Sequence, residues 1–249
     1  MQVVTTSERP GLADEAGAAF RERWPEFIFH GAVPAHSLPR VQQYFPEYSV
    51  LLLDGGRVVA GGWGVPLGWN GSVDDLPGGY DGALIRSVTE YEAGQRPNTL
   101  SFMAASVAAE GGGRGLAAQV LRALTERGRE AGLGRVVAPL RPTLKHRYPA
   151  FPMGEYARWT RADGLSTDPW IRTHQRMGAV ILGPAERSMV VEGTVAEWET
   201  WADMAFPVSG SYVVPEALNL VVIDRERDRG RYTEENLWVE HPAAPSGRT

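Results

Sequence analysis

The segment from Thr99 to Leu140 restricts the fold more than any other part of the chain. TLSFMAASVA (Thr99 to Ala108) is almost continuously apolar, which predicts a central strand covered on both faces. Four glycines follow within five positions, Gly111, Gly112, Gly113 and Gly115. LAAQVLRALTERGREA then carries apolar residues at helical spacing, Gly132 is the expected stop, and RVVAPL reads as the next strand. A glycine-rich turn between a strand and a helix N-terminus lets backbone N–H groups approach an anion, with the helix dipole favouring negative charge there.

Three anions compete for that turn. A nucleoside-triphosphate loop needs lysine directly after the glycines, and none is there: the single lysine of the chain is Lys145. The dinucleotide pattern G-x-G-x-x-[GA] is met formally from Gly113 to Ala118. It calls for an acidic residue at the end of the following strand, where RVVAPLRP offers proline and arginine. It also normally opens a parallel sheet, whereas a hairpin precedes it here. The pyrophosphate of a coenzyme requires only main-chain donors, an arginine and the helix end, all of which ASVAAEGGGRGLAAQVL supplies.

Composition removes other classes. A net charge of −5 argues against a broad nucleic-acid or anionic-membrane surface, and the lack of cysteine removes thiolate chemistry and disulfides. No apolar run approaches the roughly 20 residues that span a bilayer, and MQVVTTSERP has no signal-peptide pattern, so a soluble cytoplasmic protein is expected.

The remaining chain alternates between the two periodicities. MQVVTTS is a candidate first strand, Gly11 to Trp24 a helix, and HSLPRVQQYF a short helix after a break at Pro34. Tyr48–Asp54 and Arg57–Trp69 form a hairpin around Gly55-Gly56. YDGALIRSVTEYEAG is an amphipathic helix, and DPWIRTHQRMG is another, with Asp168 as N-cap and Pro169 in its first position. AVILG and RSMVVEG read as separate strands, TVAEWETWADM as a helix capped by Thr194, and SGSYVVP and ALNLVVIDRE as the last strands. The expected architecture is a mixed α/β sheet in one domain over residues 1–241, with a disordered tail over 242–249.

The glycine segment resembles motif A of the GCN5-related N-acetyltransferase superfamily, [QR]-x-x-G-x-[GA], with Gly112, Gly115 and Ala117 at its defining positions. Gly112 departs from the usual glutamine or arginine. DPWIRTHQRMGAVILG is similar to a second family pattern, A-x-x-L-Y-x-x-x-G-F, with Gly178 at the glycine and Ala179 in place of the aromatic. The likeness covers about residues 48–183. It implies a mostly antiparallel central sheet flanked by helices, with a V-shaped opening between two central parallel strands.

The resemblance also implies transfer of an acyl group from acetyl-CoA, or another acyl-CoA, to the amine of a small molecule by direct attack, with no metal. Backbone groups at Val107 and Ala109 would meet the thioester carbonyl and pantetheine, while Gly112, Gly113, Arg114, Gly115, Leu116 and Ala117 would hold the phosphates. The family's acidic tyrosine corresponds here to His174, which could give up a proton if a neighbour raised its pKa; His146 is a second candidate. Glu155, Asp163, Asp168 and Glu110 are the candidate bases, Glu155 foremost and Asp168 lowest because capping already explains it. Aromatic residues between Tyr148 and Trp170, with Trp63 and Trp69, are candidates for an acceptor pocket. A second copy of the chain is a further partner to consider. A coenzyme-binding protein that has lost or altered the transfer, and a nicotinamide-dependent oxidoreductase, are the competing readings.

Overall fold

A computed structural model describes residues 1–21, 24–108 and 115–242. The order of its sheet is set by local turn chemistry. Gly55 and Gly56 both adopt positive φ (58° and 84°), the pair of angles a two-residue hairpin turn needs. They join β2 (Ser49–Asp54) to β3 (Arg57–Leu67). β1 (Gln2–Thr5) adds to the outer edge of β2, and β4 (Thr99–Val107) pairs antiparallel with β3 on the other side. The near-continuous apolar reading of β4 holds: Thr99 to Met103 are all buried.

Between β4 and β5 (Arg135–Leu140) the chain forms α4 (Leu116–Glu130), and this crossover makes the pairing parallel. α4 lies close on β3 because Gly62 has no side chain. A Cβ there would stand 2.6 Å from the Ala104 carbonyl oxygen and 2.7 Å from Val120 Cγ1. Val120, Leu121 and Leu124 bury against the sheet, which with α3 (Tyr80–Glu92) and α2 (Ala32–Tyr44) encloses the main core.

α2 begins earlier than expected, before Pro34 rather than after it. Pro34 lies in the first turn, where its missing N–H has no intrahelical acceptor to serve. α1 (Ala13–Arg21) is shorter than the expected 11–24 span. The two strands expected over AVILG and RSMVVEG are one, β6 (Val180–Gly193), irregular at Ile181/Gly183 and Ala185/Met189. α5 (Met153–Tyr156), α6 (Pro169–Arg176) and α7 (Val195–Ala202) complete the helices among the described residues. Asp168 and Thr194 cap the last two as expected, Thr194 in a capping box with Glu197.

The last strands expected do form, as β7 (Gly210–Tyr212) and β8 (Val221–Asp224), but a further strand follows them. β9 (Arg229–His241) pairs with β8 at its start and with β5 at its end, while β6 runs along its other edge. Nine strands of the described residues thereby form one sheet. On the β5/β8 side, pairing stops at Tyr232 and resumes at Leu237. Loops fill the interval: Glu235 N–H donates to Asn219 Oδ1, and the buried Lys145 ammonium donates to the carbonyls of Tyr148 (3.0 Å) and Leu218 (2.6 Å). Among the described residues no helix is long and apolar enough to cross a membrane. Of the expected tail only Pro242 falls within the described residues.

Candidate active site

β4 and β5 are hydrogen-bonded only as far as Ser101↔Val137 and then separate. The opening is a cleft of about 300 Å³, lined on one wall by Phe102 to Val107 and on the other by Ala138 to Arg141, with Ala117 and Leu121 of α4 at its base. A larger hollow, about 370 Å³, lies between residues 73–78 and the irregular part of β6.

The strand edge facing the cleft carries donors. Ala108 N–H donates to Val59 of β3 (2.9 Å), and successive N–H groups of an extended chain point to opposite edges. The N–H groups of Val107 and Ala105 therefore face the cleft, where no strand pairs with them. α4 starts beside them. Gly115, at φ +68°, is its N-cap and no side chain caps the helix, so its first-turn N–H groups have no intrahelical partner. Cleft donors and helix end together form a surface for an extended, anionic, amide-bearing molecule. Of the residues expected here, Val107 and Ala117 line the cleft, Gly115 and Leu116 open the helix, and Leu116 is buried beneath it. Ala109, Glu110, Gly112, Gly113 and Arg114 lie outside the described residues.

His174 projects from α6 into the cleft wall and is 1% exposed. Its Nδ1 is 2.8 Å from Nε2 of His241 on β9, and the edge of its ring contacts Trp170. Its Nε2 is buried with no hydrogen-bond partner. Burial, reinforced by His241, lowers its pKa to about 3; burial alone lowers that of His241 to about 4. The two rings are neutral at physiological pH, with a single proton in their shared hydrogen bond. This corrects the expectation that a neighbour raises the pKa of His174 so that it donates as an imidazolium. The neighbour it meets is another imidazole in an apolar wall.

Glu155 is exposed on α5 and does not line the cleft. Asp163 is exposed and turned to Arg161 and the Leu165 N–H. Asp168 is fully committed, accepting from Trp170 and Ile171 N–H at one oxygen and from Leu144 N–H and the Tyr156 hydroxyl at the other. His146 donates from Nδ1 to the Thr143 carbonyl on the 141–148 loop.

The expected aromatic pocket forms elsewhere. Tyr148, Phe151, Tyr156 and Trp159 pack on one another in a cluster that supports α5 and the start of α6. Trp63 meets Tyr80, and Trp69 is buried with its Nε1 donating to the Ser72 carbonyl. Of the aromatics expected there, Trp170 alone lines the cleft, joined by Phe102 and Trp24. Trp24, Arg141, Glu216 and His241 were not found by sequence reasoning: Trp24, Glu216 and His241 reach the site from distant elements, and the role of Arg141, directly after β5, depends on its partners Glu234 and Glu216.

Among the described residues Arg141 and Glu216 are the charged ones lining the cleft. Burial opposes the charge on Arg141, but Glu234, itself 1% exposed, holds it: Arg141 Nε donates to Glu234 Oε2 at 3.0 Å, and its pKa rises. Tyr232 Oη and Asn236 Nδ2 also donate to the Glu234 carboxylate. Arg141 Nη2 donates to the Glu216 carbonyl at 2.6 Å.

No family model matches the chain. It is 32% identical over 248 residues to the arginine N-acetyltransferase avaD of Aspergillus versicolor, an alignment covering 88% of this chain and 85% of that protein. Solved structures with the same fold include the loading GNATL domain of CurA from Lyngbya majuscula (16% identity, 96% of each chain, TM-score 0.56). Another is the GNAT-like decarboxylase GphF in complex with isobutyryl-CoA (18% identity, 97% of this chain and 98% of that one, TM-score 0.58). At such identities these two structures speak for the fold alone.

Proposed function

The chain belongs to the GCN5-related N-acetyltransferase superfamily and is an acyl-CoA-dependent N-acyltransferase acting on an amine; within that class we propose that it moves an acetyl group to a small free amine, arginine being the acceptor to test first. The observation that supports this reading is the separation of β4 from β5 beyond Ser101↔Val137, beside a helix opened by Gly115. An extended polyamide such as the pantetheine arm can pair with the Val107 and Ala105 edge as a strand would. The N–H groups of Leu116 and Ala117 answer the phosphates, with Gly112, Gly113 and Arg114 assigned to the same task, and Ala109 to the thioester carbonyl and pantetheine, by family likeness.

In the transfer, the amine nitrogen attacks the thioester carbon and the carbon–sulfur bond breaks. The proton lost by nitrogen balances the one gained by the departing sulfur. In this reading His174 stays neutral. Its free Nε2 hydrogen-bonds the reacting groups, while His241 fixes the ring through Nδ1. Wild-type protein mixed with acetyl-CoA and a panel of amines should release thiol in response to arginine, with a product heavier by one acetyl group. Acetyl-CoA binding without amine-stimulated thiol release would overturn the reading.

A further inference from the structure

Resting on that acceptor reading, we infer that Glu216 is the residue that selects a guanidinium-bearing acceptor, through its carboxylate at the β5 end of the cleft. Among the described residues two charged side chains line the cleft, and one is already spoken for. Arg141 is neutralised by the buried Glu234 carboxylate and spends a second donor on the Glu216 carbonyl. Of the two, that leaves Glu216 to supply negative charge at the cleft. Its side chain is 57% exposed, with His146 Nε2 3.6 Å from Oε1.

Geometry points the same way. Glu216 holds φ +63°, a left-handed conformation that is strained for a residue with a Cβ. The segment around it enforces that conformation: Val214, Ala217 and Leu218 are buried, Leu218 N–H donates to the Tyr232 hydroxyl, and Arg141 grips the Glu216 carbonyl. The backbone is thus held by Arg141 and Tyr232, while the half-exposed carboxylate has His146 beside it. Such strain is held where a side chain must point in one direction.

Trp24 lines the same cleft, its ring 5.7 Å from the Arg141 guanidinium carbon. A cleft lined by both a carboxylate and an indole suits a flat, delocalised cation, which pairs with carboxylate by two parallel hydrogen bonds and stacks on an aromatic face. A compact ammonium would use only the charge. The acceptor class is therefore an amine that carries a guanidinium at its other end.

L-Arginine and L-citrulline test this, since the second replaces the guanidinium by an uncharged urea of the same shape. Both are titrated calorimetrically into wild-type protein saturated with CoA, and into Glu216→Gln and Glu216→Asp. Wild type should bind arginine at least tenfold more tightly than citrulline. Glu216→Gln should reduce that ratio to about threefold or less, and Glu216→Asp should restore part of it. CoA affinity should be the same in all three proteins, which shows that the cleft is intact. Equal binding of the two ligands by wild type, no binding of arginine, or an unchanged ratio in Glu216→Gln would overturn the inference. Should Glu216→Gln fail to fold, the wild-type ratio and its value in Glu216→Asp still decide. Binding in the expected ratio without acetyl transfer to arginine would sink the transfer to arginine and leave the Glu216 assignment standing.

Discussion

Lowering the pH from 7.5 to 5.0 tests the His174–His241 pair directly, because the unfolded chain can protonate both imidazoles and the folded protein resists it. Their folded pKa values, about 3 and about 4, lie below the 6.5 of a free imidazole. A depressed pKa gives stability that is intact above 6.5 and is lost as pH falls towards the folded values. At pH 5.0 each ring lies about 1.5 pH units below its unfolded pKa, a cost of about 2 kcal/mol per ring and about 4 kcal/mol for the pair. Asp81 acts in the opposite direction. Burial raises its pKa from 3.8 to about 6, so its ionisation destabilises the fold at pH 7.5, and acidification to pH 5.0 returns roughly 1–1.5 kcal/mol. Wild type should then lose about 2–3 kcal/mol over this interval. His174→Leu/His241→Leu, whatever its absolute stability, should instead gain about 1 kcal/mol. Glu8, Glu126, Glu197 and Asp224 have lowered pKa values and titrate below this interval in both proteins. Urea unfolding followed by tryptophan fluorescence at the two pH values measures both slopes. Slopes agreeing to within about 1 kcal/mol would refute the reasoning that the pair is buried and neutral.

Gly115→Ala should cost about 1–2 kcal/mol in urea unfolding: the position is left-handed and nothing stands within 4 Å of an added Cβ, so the penalty is conformational. Gly62→Ala should cost about 1–3 kcal/mol by overpacking, as its Cβ would meet the Ala104 carbonyl and Val120 and push α4 off the sheet; an unchanged thermal midpoint would contradict that packing. Lys145→Met should cost about 1–3 kcal/mol for each carbonyl left unpaired, those of Tyr148 and Leu218, and raise KM for the acceptor more than for acetyl-CoA. Glu155→Gln should leave kcat within about twofold, whereas losing a general base costs on the order of 100-fold or more; a loss of that size would return Glu155 to the chemistry.

What the chain reveals about itself in one dimension is its local chemistry. The strand, helix and strand between Thr99 and Leu140 were legible because each piece carries its own period and its own stop. The Gly55-Gly56 hairpin and the caps at Asp168 and Thr194 were legible for the same reason. β9 was not. Along its first half the buried face is Gly230, Tyr232, Glu234 and Asn236, which is no apolar alternation. Polar residues are tolerated there because they bond to one another and to Arg141, a condition visible only after folding. His174 was found by its spacing from Gly178, yet its protonation state depends on His241, 67 residues further on. The aromatic run after Tyr148 was misread because its rings pack mainly on each other.

The interruption in pairing along β9, between Tyr232 and Leu237, has a consequence for how such a protein can change. On the proposed reading, donor recognition rests on β4, β5 and the start of α4, whereas the acceptor end rests on two loops, 141–148 and 214–219, moored by Lys145, Asn219 and Arg141. Residues in those loops can be exchanged or lengthened without disturbing a strand register or the coenzyme edge, provided the mooring bonds persist. One sheet thus carries a fixed bench and an interchangeable jig, and on this reading a new amine substrate calls for rebuilding the jig.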